Sequence, residues 1–130
     1  MRVAFLNPQG NFDPQNSYLA SHPDFGGQLV YVREVARTLG EMGHRADILT
    51  RRIVDPHWPE FASDTDVYPG HENVRILRIP CGPDHFLPKK SCGRTWASGR
   101  RVWRGCTAER TRGRRSGPAT MLTAVSLQRC

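Results

Sequence analysis

The 130-residue sequence predicts an α/β fold, a parallel sheet carrying a βαβ unit, from three observations. Val3-Ala4-Phe5-Leu6 is an unbroken apolar run stopped by Asn7-Pro8, the pattern of a strand buried on both faces. From Leu29, apolar residues return at Val32, Val35, Ala36, Leu39 and Met42, which is the spacing of one helical face; Arg33, Glu34, Arg37 and Glu41 fall elsewhere. Ala46-Asp47-Ile48-Leu49-Thr50 then reads as a second strand after a short connection. Crossovers of this kind are almost always right-handed, and ligands of open α/β sheets bind above the carboxyl ends of the strands.

Residues Asn7 to Ser21 are rich in Asn, Gln, Pro and Gly and have no period, so they form a long loop over the carboxyl end of the first strand. The helix is expected from Gly27 to Gly43, with Pro23-Asp24-Phe25-Gly26-Gly27-Gln28 as the turn that opens it. Glycine lets a ligand approach the backbone closely, and the unpaired N–H groups of a helix start carry partial positive charge that suits phosphate. A Gly-Gly pair fits a flexible turn before a core helix equally well. The long loop and the helix start converge on one spot.

Arg51 to Asn73 mixes Pro56, Pro59, Pro69 and Gly70 with Trp58, Phe61 and Tyr68, an irregular excursion whose aromatics are expected to pack rather than bind. Val74 to Ile79 is a third strand, stopped by Pro80. Cys81 to Lys90 is again a loop at a strand's carboxyl end. Lys89 is its first basic side chain placed to reach the crevice, although a solvated lysine fits the same position. Of the five dispersed histidines none is assigned a catalytic role, and only His85 lies near Lys89.

Charge divides the chain. Residues 91–130 hold nine Arg against one acid, Glu109, whereas the first 90 residues hold 10 basic and 11 acidic side chains. The four cysteines make no CxxC pair and have no histidine at ligand spacing, so neither a metal site nor a disulfide framework is expected. The start is too quickly broken for a signal peptide, and no apolar run reaches membrane length, so a soluble cytoplasmic protein is expected.

The stretches VAFLNPQGNFDP, HPDFGGQLVYVREVARTLGEMGH, DILTRRIVD, WPEF and VRILRIPCGPDHFLPK closely resemble the amino-terminal domain of the bacterial sucrose-phosphate synthases, retaining glycosyltransferases of the GT-B architecture. Sucrose synthases and mannosylfructose-phosphate synthases share the DFGGQ-type turn and are the alternative relatives. The resemblance implies a Rossmann-like amino-terminal domain, residues 1–89, that holds fructose 6-phosphate, and a second domain that holds the donor UDP-glucose. No tightly bound cofactor is implied. By position, Gly26 and Gln28 would contact the acceptor sugar, Lys89 would pair with its phosphate, and Gly27 would face the donor diphosphate. No catalytic residue is assigned within this chain, which alone is expected to be inactive. Partners are therefore small molecules, with no membrane and no specific nucleic acid.

After Lys89 the resemblance stops. The family continues as EELWPHL, and this chain reads Lys90-Ser91-Cys92-Gly93-Arg94-Thr95-Trp96. Reading each family codon from the third base of one codon and the first two of the next, with permitted choices of the third bases, can yield EELWPHL from Lys89 to Trp96 and GHYADGGLAAAV from Pro118 to Cys130. Met121 has a single codon, which fixes its third base. Residues 90–130 are accordingly read as an out-of-frame, Arg-rich tail, largely disordered, that would leave apolar faces of the sheet uncovered. The competing function of another class is a basic nucleic-acid-binding module, with the tail arginines on phosphates and Trp96 and Trp103 stacking on bases.

Overall fold

The computed structural model describes residues 1–7, 12–18, 21, 26–80 and 83–86, together with the backbone of 121–124. The chain runs β1 (Arg2–Asn7), α1 (Gly27–Glu41), β2 (Arg45–Arg51), a short 3₁₀ turn at Pro59–Phe61, β3 (Thr65–Tyr68), β4 (His71–Ile79) and β5 (Met121–Ala124). The five strands form one sheet in the order β3-β4-β2-β1-β5. β1, β2, β4 and β5 are parallel, and β3 runs antiparallel to β4.

The expected βαβ unit is present. β1 pairs with β2 from Arg2 opposite Arg45 to Asn7 opposite Thr50, and β2 pairs with β4 from Ala46 opposite Val74 to Arg51 opposite Ile79. Because side chains alternate across a strand, Val3, Phe5, Ala46, Ile48, Val74 and Ile76 share one face. Against that face α1 buries Leu29, Val32 and Ala36. Each large aliphatic side chain buried in this way contributes about 1.5–3 kcal/mol. The opposite face carries Ala4, Leu49 and Ile79, with Leu6 and Leu77 packed on them. Asp47, also on that face and 1% exposed, accepts from Arg2 Nε at 2.6 Å and from Arg75 Nε at 2.8 Å, so one buried carboxylate ties β1, β2 and β4 together.

α1 ends at Glu41, two residues before the expected Gly43, because the chain turns there. Gly43 takes φ +82°, its N–H donates to the Gly40 carbonyl and that of His44 to the Leu39 carbonyl. This is a Schellman ending, in which glycine adopts the left-handed conformation at least cost. Met42, expected on the apolar face, lies past the last turn and is 65% exposed.

One segment differs from the sequence-based expectation. Arg51 to Asn73 is not wholly irregular, since Thr65–Tyr68 forms a short edge strand that Pro69 and Gly70, φ +75°, return into β4. Within 90–130, expected to be largely disordered, Met121–Ala124 lies parallel to β1 with Arg2 opposite Met121. On the face opposite α1, Ala4, Leu49 and Ile79 are 3–7% exposed.

The aromatics of the excursion pack, as expected. Trp58 stacks on Phe86 with ring centroids 4.4 Å apart, and Tyr18 tilts against Trp58 at 4.7 Å. Phe61 is fully buried beneath them. Tyr18 also donates to Glu60 Oε1 at 2.9 Å, and that hydrogen bond raises the phenol's pKa.

Candidate functional site

The parallel strands end together at Asn7, Arg51 and Ile79, and α1, returning antiparallel, begins at that same end of the sheet. Gly26 is the N-cap residue, with φ −109° and ψ −158°, and its carbonyl accepts the Leu29 N–H at 3.0 Å. Among the described residues no side chain caps this helix, and no acidic residue lies in its first turn. A helix start of this kind carries partial positive charge on its unpaired N–H groups.

Neither backbone angle nor packing demands glycine here. Only Gly43 and Gly70 have positive φ among the described glycines, and a Cβ at Gly26 or Gly27 would meet no heavy atom within 4 Å. Gly27 is exposed and Gly26 and Gln28 are half-buried, so the three expected contact residues lie side by side at an open helix start. Lys89, the fourth, lies outside the described residues.

Two loops at this end are anchored from beneath by buried arginines, which the sequence reading passed over. Arg51, 4% exposed at the end of β2, donates from Nη1 to the Pro83 carbonyl and, at 3.1 Å, to that of His85. Val54 N–H donates to the Asp84 carbonyl at 2.7 Å, so the segment leading toward Lys89 is held at three consecutive residues. Arg78, with no exposed surface, donates to the Phe12 carbonyl at 2.7 Å, to Ser63 Oγ at 2.7 Å and to Asp66 Oδ2. A guanidinium suits this work because its fixed fork of donors reaches several acceptors at once. No local sequence signal sets these two arginines apart from surface ones, since β2 and β4 each carry another arginine as well.

Around the anchors, local charge is settled. The Asp55 carboxyl is held below its ordinary pKa, chiefly by the backbone N–H of His57, which donates at 3.0 Å. Tyr68, 4% exposed, has its phenol pushed up by burial. Beside Arg78, Thr50 and Asn7 complete a row of polar residues across β4, β2 and β1, each at most 1% exposed. Among the described residues the Thr50 hydroxyl and both polar atoms of the Asn7 amide have no hydrogen-bond partner. Among the described residues no group of three or more His, Cys, Asp or Glu could hold a metal ion, and no helix is long and apolar enough to cross a membrane.

No protein-family profile matches the chain. Among curated proteins it is 59% identical over 90 residues to a probable sucrose-phosphate synthase of Thermosipho melanesiensis, a match covering 69% of this chain and 21% of that protein. It is 43% identical over 94 residues to the mannosylfructose-phosphate synthase of Agrobacterium fabrum, covering 68% of this chain and 17% of that protein. The chain thus spans about a fifth of the length of the relatives it matches. Among solved structures, the sucrose-phosphate synthase of Thermosynechococcus elongatus superposes with a TM-score of 0.51 at 19% identity, over 94% of this chain and 32% of that one, which is a likeness of fold.

Proposed function

The chain belongs to the sucrose-phosphate synthase family, and on that premise we propose that its open helix start is the acceptor side of a glycosyltransferase cleft. The proposed reaction joins glucose from UDP-glucose to fructose 6-phosphate, giving sucrose 6-phosphate and UDP. The supporting observation is the start of α1: without a side-chain cap among the described residues, with no acid in its first turn, bearing two glycines that neither φ nor packing requires, and set at the carboxyl ends of parallel strands. Bare amides and the helix dipole stabilise anionic oxygens there.

In this reading Gly26 and Gln28 contact the acceptor, the Gln28 carboxamide offering both a donor and an acceptor to hydroxyls. Lys89 pairs with the acceptor phosphate, and the amide of Gly27 faces the donor diphosphate. UDP-glucose is a substrate held mainly by the part of the enzyme that this chain does not span, so residues 1–130 bind acceptor without turning it over. The setting is the cytoplasm, where both substrates are metabolites. Residues 90–130 are the out-of-frame continuation of a coding sequence for the same family. The nucleotide sequence through codon 90 tests that part, and an intact frame without the overlapping motifs rules it out.

Titration of the ¹⁵N-labelled chain with fructose 6-phosphate tests the site. The amide resonances of Gly27 and Gln28 are expected to move and saturate together. Amides that stay in place at millimolar ligand overturn the assignment, and UDP release from UDP-glucose by the purified chain overturns its inactivity.

A further inference from the structure

Resting on the assignment of the α1 start as an acceptor site, we propose that Asn7 and Thr50 form its floor and recognise neutral sugar hydroxyls, a role that goes to neither residue in the resemblance. They are opposite one another in the β1–β2 register, at the last positions of β1 and next to last of β2. Alternation puts them on the face of Phe5 and Ile48, which pack in one cluster with Leu29 and Val32 of α1. They therefore face the side of the sheet on which α1 begins.

Asn7 is 1% exposed and Thr50 is not exposed at all, yet Asn7 Nδ2, Asn7 Oδ1 and Thr50 Oγ1 have no partner among the described residues. Buried amides and hydroxyls are nearly always hydrogen-bonded, and a fold keeps three unmet polar atoms together at a net loss of stability. The neighbouring Arg78 is largely satisfied, its Nη1 and Nη2 donating to four acceptors, while its Nε shares the unmet state of the Asn7 and Thr50 groups. Valine and leucine would fill the Thr50 and Asn7 positions without that loss. A cluster of this kind at the binding end of a parallel sheet fits a site whose stability is given up for function.

The mixture of groups sets the ligand class. A phosphate only accepts at neutral pH in its ionised oxygens and would leave Asn7 Oδ1 unmet; an ammonium only donates and would leave Asn7 Nδ2 unmet. A sugar hydroxyl both donates and accepts, as the Thr50 hydroxyl does, and the primary amide supplies one group of each kind. The helix-start amides thus suit anionic oxygens, and the strand ends beneath join Gln28 in taking the hydroxyls of the polyol. A site with buried polar groups discriminates strongly against an analogue that lacks the matching hydroxyl.

The test pairs thermal unfolding with binding of fructose 6-phosphate and of inorganic phosphate to Thr50→Val. The expected result is a higher Tm, affinity for fructose 6-phosphate lowered about three- to tenfold, and unchanged affinity for inorganic phosphate. A lower Tm shows the hydroxyl paired within the fold, by water or protein, and overturns the proposal, as does unchanged sugar-phosphate affinity. Asn7 is followed in the unsubstituted chain, where its side-chain NH₂ resonances are expected to move with fructose 6-phosphate and not with inorganic phosphate. If the Gly27 amide responds and the Asn7 side chain does not, this proposal fails and the acceptor site stands. If neither responds, both fail.

Discussion

Arg78 Nη2 donates to the carbonyl of Phe12 at 2.7 Å across 66 residues of chain, and the arginine has no exposed surface. One buried guanidinium therefore fastens the loop after the first strand to the end of β4, while its Nη1 fastens the turn at Ser63 and, through Asp66, the edge strand β3. Replacing Arg78 with Met is expected to cost about 3 kcal/mol, because the Phe12 and Ser63 carbonyls lose a charged donor in a water-poor place. Urea denaturation reads this directly. Arg33→Ala, which removes an ion pair with the exposed Glu34, is expected to cost less than about 1 kcal/mol and serves as the comparison.

Two glycines of α1 and its ending have opposite grounds for being glycine. Gly43 sits at φ +82° with open space around it, so Gly43→Ala is expected to lose about 1 kcal/mol through backbone strain alone. Gly40 has an ordinary φ, but a Cβ there would come within 2.7 Å of Val74 Cγ2. Gly40→Ala is expected to cost about 1–3 kcal/mol by overpacking, and Val74→Ala in the same chain should recover part of it. A double-mutant cycle on the unfolding midpoint checks the coupling.

At Gly27 stability and binding should separate. Asp in the first turn complements the helix dipole and is expected to stabilise the chain by about 0.3–1 kcal/mol. The same charge repels an incoming phosphate, so Gly27→Asp is expected to lower affinity for fructose 6-phosphate at least tenfold. Calorimetry on one sample for both quantities decides it; a substitution that lowers both points to a role in the fold instead.

Acid should find Asp55. Its folded-state pKa lies below the ordinary value of 3.8, first because the His57 N–H donates to the carboxylate. A lowered carboxyl pKa contributes stability that is present above the unfolded value and is lost as pH falls through the folded one. The native chain should therefore lose stability below about pH 4, and Asp55→Asn should flatten that limb while leaving the curve near neutrality little changed. Thermal unfolding from pH 2 to 7 supplies both curves.

The sequence by itself determined the βαβ unit, because β1, β2, β4 and α1 each carry a period or an apolar run that their neighbours reinforce. Val3 to Leu6, Ile48 with Leu49, and the Leu29, Val32 and Ala36 stripe all lie where the pattern put them, each within two or three residues of its expected end. The helix start was legible to the same depth: Gly26, Gly27 and Gln28, the residues proposed for the site, lie there because a turn rich in glycine precedes an amphipathic run.

What only the tertiary structure decided depends on partners distant in sequence. Thr65–Tyr68 is too short and too polar to announce a strand, and becomes one by pairing with β4 beneath the hold of Arg78 on Asp66. Nothing local distinguishes Arg51 and Arg78 from surface arginines; their burial follows from loops that fold back over the sheet's end to receive their protons. Asn7 and Thr50 likewise read as a turn residue and an ordinary strand residue, and register alone sets them opposite each other, since hydrogen-bond satisfaction belongs to the assembled sheet and not to any segment of it.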